Sequence, residues 1–114
     1  MKNVKITWKA FGNKPDIGKE ITSIEFKLPV DDKDFVICER IYKETNLYLG
    51  SWWSLLIEPL LKENRTHTAL SVGDEVTIDD ITYICADFGF IKVEDAEIKY
   101  LGDDIIFSIS EKKG

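Results

Sequence analysis

The chain predicts an α+β fold: an antiparallel β-sheet of about five to six short strands, with one or two helices inserted after the second strand. Three observations carry this. Apolar and polar residues alternate at the start, the period then lengthens to that of a helix, and short β-rich runs separated by turn residues crowd the last third. A length of 114 residues makes 1–114 a single domain. With 44% hydrophobic and 11% aromatic residues, the chain can bury a core without a metal or disulfide staple.

Each element follows in turn. In NVKITWKAF, Val4, Ile6, Trp8 and Ala10 share one face and Lys5, Thr7 and Lys9 the other, the period of two of a half-buried strand. The glycines and proline of GNKPDIGKE make residues 12–20 a loop or wide hairpin connection. Alternation resumes through Ile24, Phe26 and Leu28 and stops at Pro29, which lacks the N–H that a central ladder needs. Residues 1–29 thus read as two antiparallel strands. With Asp31 as N-cap and Asp34 near the third position, Phe35, Cys38, Ile41 and Tyr42 recur at helical spacings and predict a helix over 32–45. FVICERIY is also rich in β-forming side chains, so a strand is the competing reading there.

TNLYLG reads as a loop, after which Ser51 caps a second helical segment, WWSLLIEPLLKEN. Pro59 lies inside that segment and removes a backbone donor, which predicts a kink or restart. The remainder reads as hairpins. EVTI and ITYICA flank Asp79 and Asp80, FIKV leads through EDA to EIKYL, and GDD at 102–104 returns the chain into IIFSIS. Only the terminal EKKG reads as frayed.

Composition excludes several function classes. No apolar run approaches the roughly 20 residues of a membrane span, and the alternating start does not continue into a signal peptide's apolar stretch. A cytoplasmic chain without membrane contact is expected. Its net charge of −6 opposes attraction to free nucleic acid. The acids are spread along the chain, with short pairs at 31–32, 79–80 and 103–104, as ordinary solubility requires. The alternative is imitation of nucleic acid in the basic groove of another protein. Cys38 and Cys85 show no C-x-x-C spacing and are expected as two buried thiols rather than a disulfide or reactive pair. Three scattered Cys and His residues do not make a zinc site, and no calcium loop is present, so neither metal nor cofactor is expected.

The polar stretch NRTHTALSVGDEVTIDDITYICADFGF holds the one histidine, His67, between Thr66 and Thr68 and next to Arg65. A catalytic role needs a nucleophile within reach and a third group orienting the imidazole, and neither cysteine carries such a signature. A loop histidine bonding the local backbone is preferred. In LSVGD, Gly73 permits the positive φ of a tight turn and Asp74 can accept backbone N–H bonds within it, next to Ser71. In YLGSWW, Trp52 and Trp53 point about 100° apart on a helix. One is expected in the core and the other at its rim; the alternative is an exposed tryptophan that joins Tyr48 and Leu49 as a partner-binding anchor.

ALSVGDEVTIDDITYICADFGF, residues 69–90, resembles the YodL-type domain of proteins from conjugative and phage elements, through Leu70, Ser71, Val72, Gly73, Asp74, Tyr83, Asp87, Gly89 and Phe90. The resemblance implies a mobile-element accessory protein with no family-wide enzymatic residue set, and draws attention to the surface of residues 64–74 and 87–90.

Three functions are therefore expected in order. The first is a non-enzymatic cytoplasmic protein of phage or mobile-element origin that binds a protein partner, or a second copy of itself, through Arg65, Thr66, His67, Thr68, Ser71 and Asp74, through Tyr48, Trp52 and Trp53, and through Asp87 and Phe90. The second is an acidic inhibitor of a host nuclease or defence complex, whose acids gather on one face. The third is a small hydrolase or transferase in which His67 meets Cys38 or Cys85 with the thiol made more acidic.

Overall fold

The alternation of Val4, Ile6 and Trp8 becomes strand β1 (Lys2–Lys9), with all three side chains buried. The structure, a computed structural model, describes residues 1–9, 20–61, 69–86, 89–101 and 104–109. Ala10, the connection at 12–19 and the terminal EKKG lie outside them. β1 pairs antiparallel with β2 (Glu20–Leu28), setting Ile6 against Ile24 and Val4 against Phe26. Its other edge takes β3 (Glu75–Ile78), with Ile6 opposite Val76 and Val4 opposite Ile78. β3 turns into β4 (Ile81–Ala86), which pairs with β5 (Gly89–Lys92). The resulting sheet runs β2-β1-β3-β4-β5, antiparallel throughout.

The β3–β4 turn is made by Asp79 and Asp80 at φ 45° and 72°. Two left-handed residues give a hairpin turn whose twist matches that of the strands. Asp79 also ties this turn to β1: its N–H donates to the Asn3 carbonyl at 3.0 Å, and its carboxylate accepts from the Asn3 N–H at 2.9 Å.

One face of the sheet is covered by helix α1 (Asp34–Leu47), which buries Ile37, Cys38, Ile41 and Thr45 along one stripe. Each buried isoleucine contributes about 1.5–3 kcal/mol. The Thr45 hydroxyl donates back to the Ile41 carbonyl, so its polar atom enters the core satisfied. The helix starts later than its sequence suggests. Lys33 is the N-cap without a side-chain cap bond, so Asp31 does not cap it, and Asp34 instead opens the first turn, where its charge faces the positive helix end.

The second helical segment follows, π-helical over Trp53–Ile57 and 3-10 over Glu58–Leu61. The winding changes directly before Pro59, as a missing backbone donor demands. Ser51 is already helical and does not cap the segment; the Trp53 N–H is taken by the Glu44 carboxylate at 3.0 Å. The C-terminal strands differ from a single meander. A 3-10 turn, Val93–Asp95, separates β5 from β6 (Ala96–Leu101), which among the described residues pairs only with β7 (Asp104–Ile109), in a second sheet. β7 lies close to β4. The fold is α+β, with its helices after the second strand, but its strands divide between two sheets.

Candidate functional site

Three regions collect polar or exposed chemistry, and the first is the SVGD turn. Gly73 takes φ 99°, its N–H donates to the Cys85 carbonyl at 2.8 Å, and the Cys85 N–H donates to the Asp74 carbonyl at 2.8 Å. The Asp74 carboxylate, 4% exposed, accepts from the Ser71 N–H and from the Lys9 N–H, each at 2.8 Å. The β1–β3 ladder ends at the Thr7–Glu75 pair, and the carboxylate takes the next β1 donor beyond it, the Lys9 N–H. Asp74 is therefore a structural acceptor that joins β1, β3 and β4, while Ser71 beside it is exposed. Arg65, Thr66, His67 and Thr68 lie outside the described residues, as does Asp87.

The second region is the seam between α1 and β4. Asp34 and Cys38 sit one turn apart on α1, and Tyr83 and Cys85 share the core face of β4. The Tyr83 hydroxyl donates to Asp34 at 2.6 Å, and Lys2 reaches the other carboxylate oxygen at 2.8 Å while also donating to the Asp32 carbonyl. Burial alone pushes the Asp34 carboxyl up, but the hydrogen bonds from Lys2 and Tyr83, with the charges of Lys2 and Lys92, outweigh it and hold the group below its ordinary range. Asp34 raises the Lys2 ammonium in turn. Burial and the bond to Asp34 push the Tyr83 phenol up.

Both thiols are buried and not joined to each other. Burial first, then the negative charge of Asp34, pushes the Cys38 thiol up. A nucleophilic cysteine needs the opposite shift, so Cys38 does not have the acidity that the hydrolase reading requires. Among the described residues no group of three or more His, Cys, Asp or Glu side chains is placed to hold a metal ion, and no helix is long and apolar enough to cross a membrane.

The third region is the corner after α1. Tyr48 ends the helix in the left-handed conformation, φ 52°, at a cost of about 1 kcal/mol for a residue with a side chain. Its ring meets Trp53 edge-on at 5.4 Å. Glu44, 7% exposed, bonds to Arg40 and to the Trp53 N–H. The Arg40 guanidinium also lies 3.8 Å above the Trp52 ring and donates to the Ser51 hydroxyl. As a result both tryptophans are buried, at 6% exposure each, so neither sits at the rim as expected and neither is the free anchor of the alternative reading. Sequence spacing places them on different sides of the segment; it does not show that Arg40 arrives from α1 to cover the second. What is exposed at this corner is Leu47, Tyr48 and Leu49.

A small cleft of about 170 Å³ opens between α1 and β5, lined by Glu39, Tyr42, Cys85, Ala86, Gly89 and Phe90. It brings Phe90 from the candidate surface together with Glu39 and Tyr42, which periodicity alone assigned only to a helix. A larger concavity, about 410 Å³, lies over β1 and β2 and mixes Lys5 and Lys27 with Glu25 and Asp80.

Acidic and basic groups interleave in the described regions: Lys2 with Asp34, Lys9 with Glu75, and Arg40 with Glu44. Comparison with protein-family models, curated proteins and solved structures yields no match. The YodL-type resemblance rests on its quoted residues alone.

Proposed function

We propose that this chain is a non-enzymatic, cytoplasmic protein-binding module, an accessory protein of the phage or mobile-element kind, which presents the Leu47-Tyr48-Leu49 corner to a partner protein. The observation that carries the reading is the exposure of these three consecutive side chains, at 56%, 58% and 66%. Single exposed apolar residues need no explanation. Three in a row, on backbone fixed from beneath, form an apolar patch with little ordering entropy left to lose on binding.

The fixing comes from Glu44. Its backbone carbonyl accepts from the Tyr48 and Leu49 N–H groups, and its carboxylate holds the start of the next segment. The exposed Ser71, which opens the SVGD turn, belongs to the loop that the sequence assigns to the same function. Paired acids and bases along the chain favour this reading over an acidic inhibitor.

The test is affinity capture from a host lysate with the wild-type chain and the Leu47→Asp/Leu49→Asp double variant, at low and moderate salt. The variant should keep its stability within about 0.5 kcal/mol per exposed position and lose a partner that the wild type retains at moderate salt. Identical retention by both proteins removes the corner from the function. A partner that leaves the wild type as salt rises supports the acidic-inhibitor reading instead.

A further inference from the structure

We propose that the cleft between α1 and β5 binds the ammonium side chain of a lysine, carried by an extended segment of a partner protein that pairs with the edge of β5. The site is separate from the Leu47–Leu49 corner and does not depend on it. Two of its walls are aromatic: the Tyr42 and Phe90 rings stand at 83° to one another with centroids 6.3 Å apart. An aromatic face attracts a cation through its quadrupole, and two rings at a right angle leave a corner that an alkyl stem can enter.

At the rim stands Glu39, exposed, with no hydrogen bond or ion pair among the described residues. Lys92, on the core face of β5, acts on Asp34 instead, so Glu39 supplies the charge at the cleft. A volume of about 170 Å³ leaves room for one unbranched side chain. The net charge of −6 favours a basic segment over an acidic one.

The backbone beside the cleft fits an extended occupant. β5 is an edge strand of the five-stranded sheet. Gly89 opens it at φ 98°, and a Cβ built there meets nothing within 4 Å, so an incoming main chain can approach closely at the mouth. Strand addition supplies the main-chain hydrogen bonds, and the cleft reads the side chain.

The experiment is a titration of isotope-labelled full-length protein with a short capped peptide, one central lysine flanked by threonine and valine, followed by backbone amide resonances. A matched peptide carries norleucine, which keeps the stem and removes the charge. The lysine peptide is expected to move the amides of Gly89, Phe90 and Ile91 and to bind about tenfold more tightly than the norleucine peptide. That margin should vanish in Glu39→Gln, a change at an exposed position that leaves the fold intact, and persist in Leu47→Asp/Leu49→Asp. Equal affinity of the two peptides, a margin unchanged in Glu39→Gln, or no movement at β5 overturns the proposal and leaves the corner reading untouched.

Discussion

The two ends of α1 each carry a carboxylate that holds the structure together, and they do so over different distances. Asp34 at the first turn reaches Lys2 on β1 and Tyr83 on β4, so one side chain ties the helix to two strands far from it in sequence. Glu44 near the last turn works locally: Arg40 one turn back, the Trp53 N–H just ahead and the backbone of Tyr48 and Leu49 converge on it. Asp34 keeps about a fifth of its side chain exposed, whereas Glu44 is nearly closed off. The contrast teaches that the C-terminal end sets the path of the chain, while the N-terminal end sets where the finished helix sits on the sheet.

Breaking the local end should cost most. Trp53→Ala removes a buried indole and is expected to lose about 3–5 kcal/mol in a denaturant titration. Gly50→Ala should follow at about 3 kcal/mol, because Gly50 takes φ 111° and a Cβ there collides with the Glu44 carboxylate. If Gly50→Ala is neutral, the Glu44 lock does not control the corner.

The long-range end should respond less. Tyr83→Phe deletes the donor at 2.6 Å from Asp34 but leaves Lys2 in place, so a loss of about 1.5 kcal/mol is expected. Hydrogen exchange should then rise at the first turn of α1 and not at Tyr48 or Leu49; uniform loss of protection would erase the distinction between the ends. The smallest effect is a pH dependence. The folded-state value of Asp34 lies below its ordinary 3.8, so the unfolded chain binds the proton more readily. Its stabilisation is fully present above that ordinary value and is lost as pH falls through the folded value. In chemical denaturation, the stability gap between wild type and Asp34→Asn should narrow below about pH 4; a gap constant down to acid unfolding contradicts the assignment.

What could be read in the sequence was mostly local. The β1 alternation, the Asp79-Asp80 turn and the SVGD turn follow from side-chain period and backbone preference within a few residues, and the structure has them. The break at Pro59 is of the same kind. What stayed hidden depends on segments meeting. Asp31 looks like a helix cap until Lys2 and Tyr83 arrive at Asp34, and one of the two tryptophans looks like a rim residue until Arg40 stacks on Trp52. The division of the strands into two sheets turns on the 3-10 winding of Val93–Asp95, in a stretch whose composition equally suits an ordinary turn. The cleft at Glu39, Tyr42 and Phe90 needed the position of β5 beside α1, which no periodicity supplies.

The strand order has a consequence in time. β1 is made before the other strands of its sheet, yet one of its two neighbours, β3, is made only after the helices that follow β2. β1 and β2 can join early, whereas closing β1 onto β3 spans most of the chain and pays a larger loop entropy. Through that interval the hairpin carries an open edge with Val4, Ile6 and Trp8 uncovered on one side. The newborn chain is therefore most in need of a chaperone before Asp79 reaches Asn3, and safest once that turn is tied down.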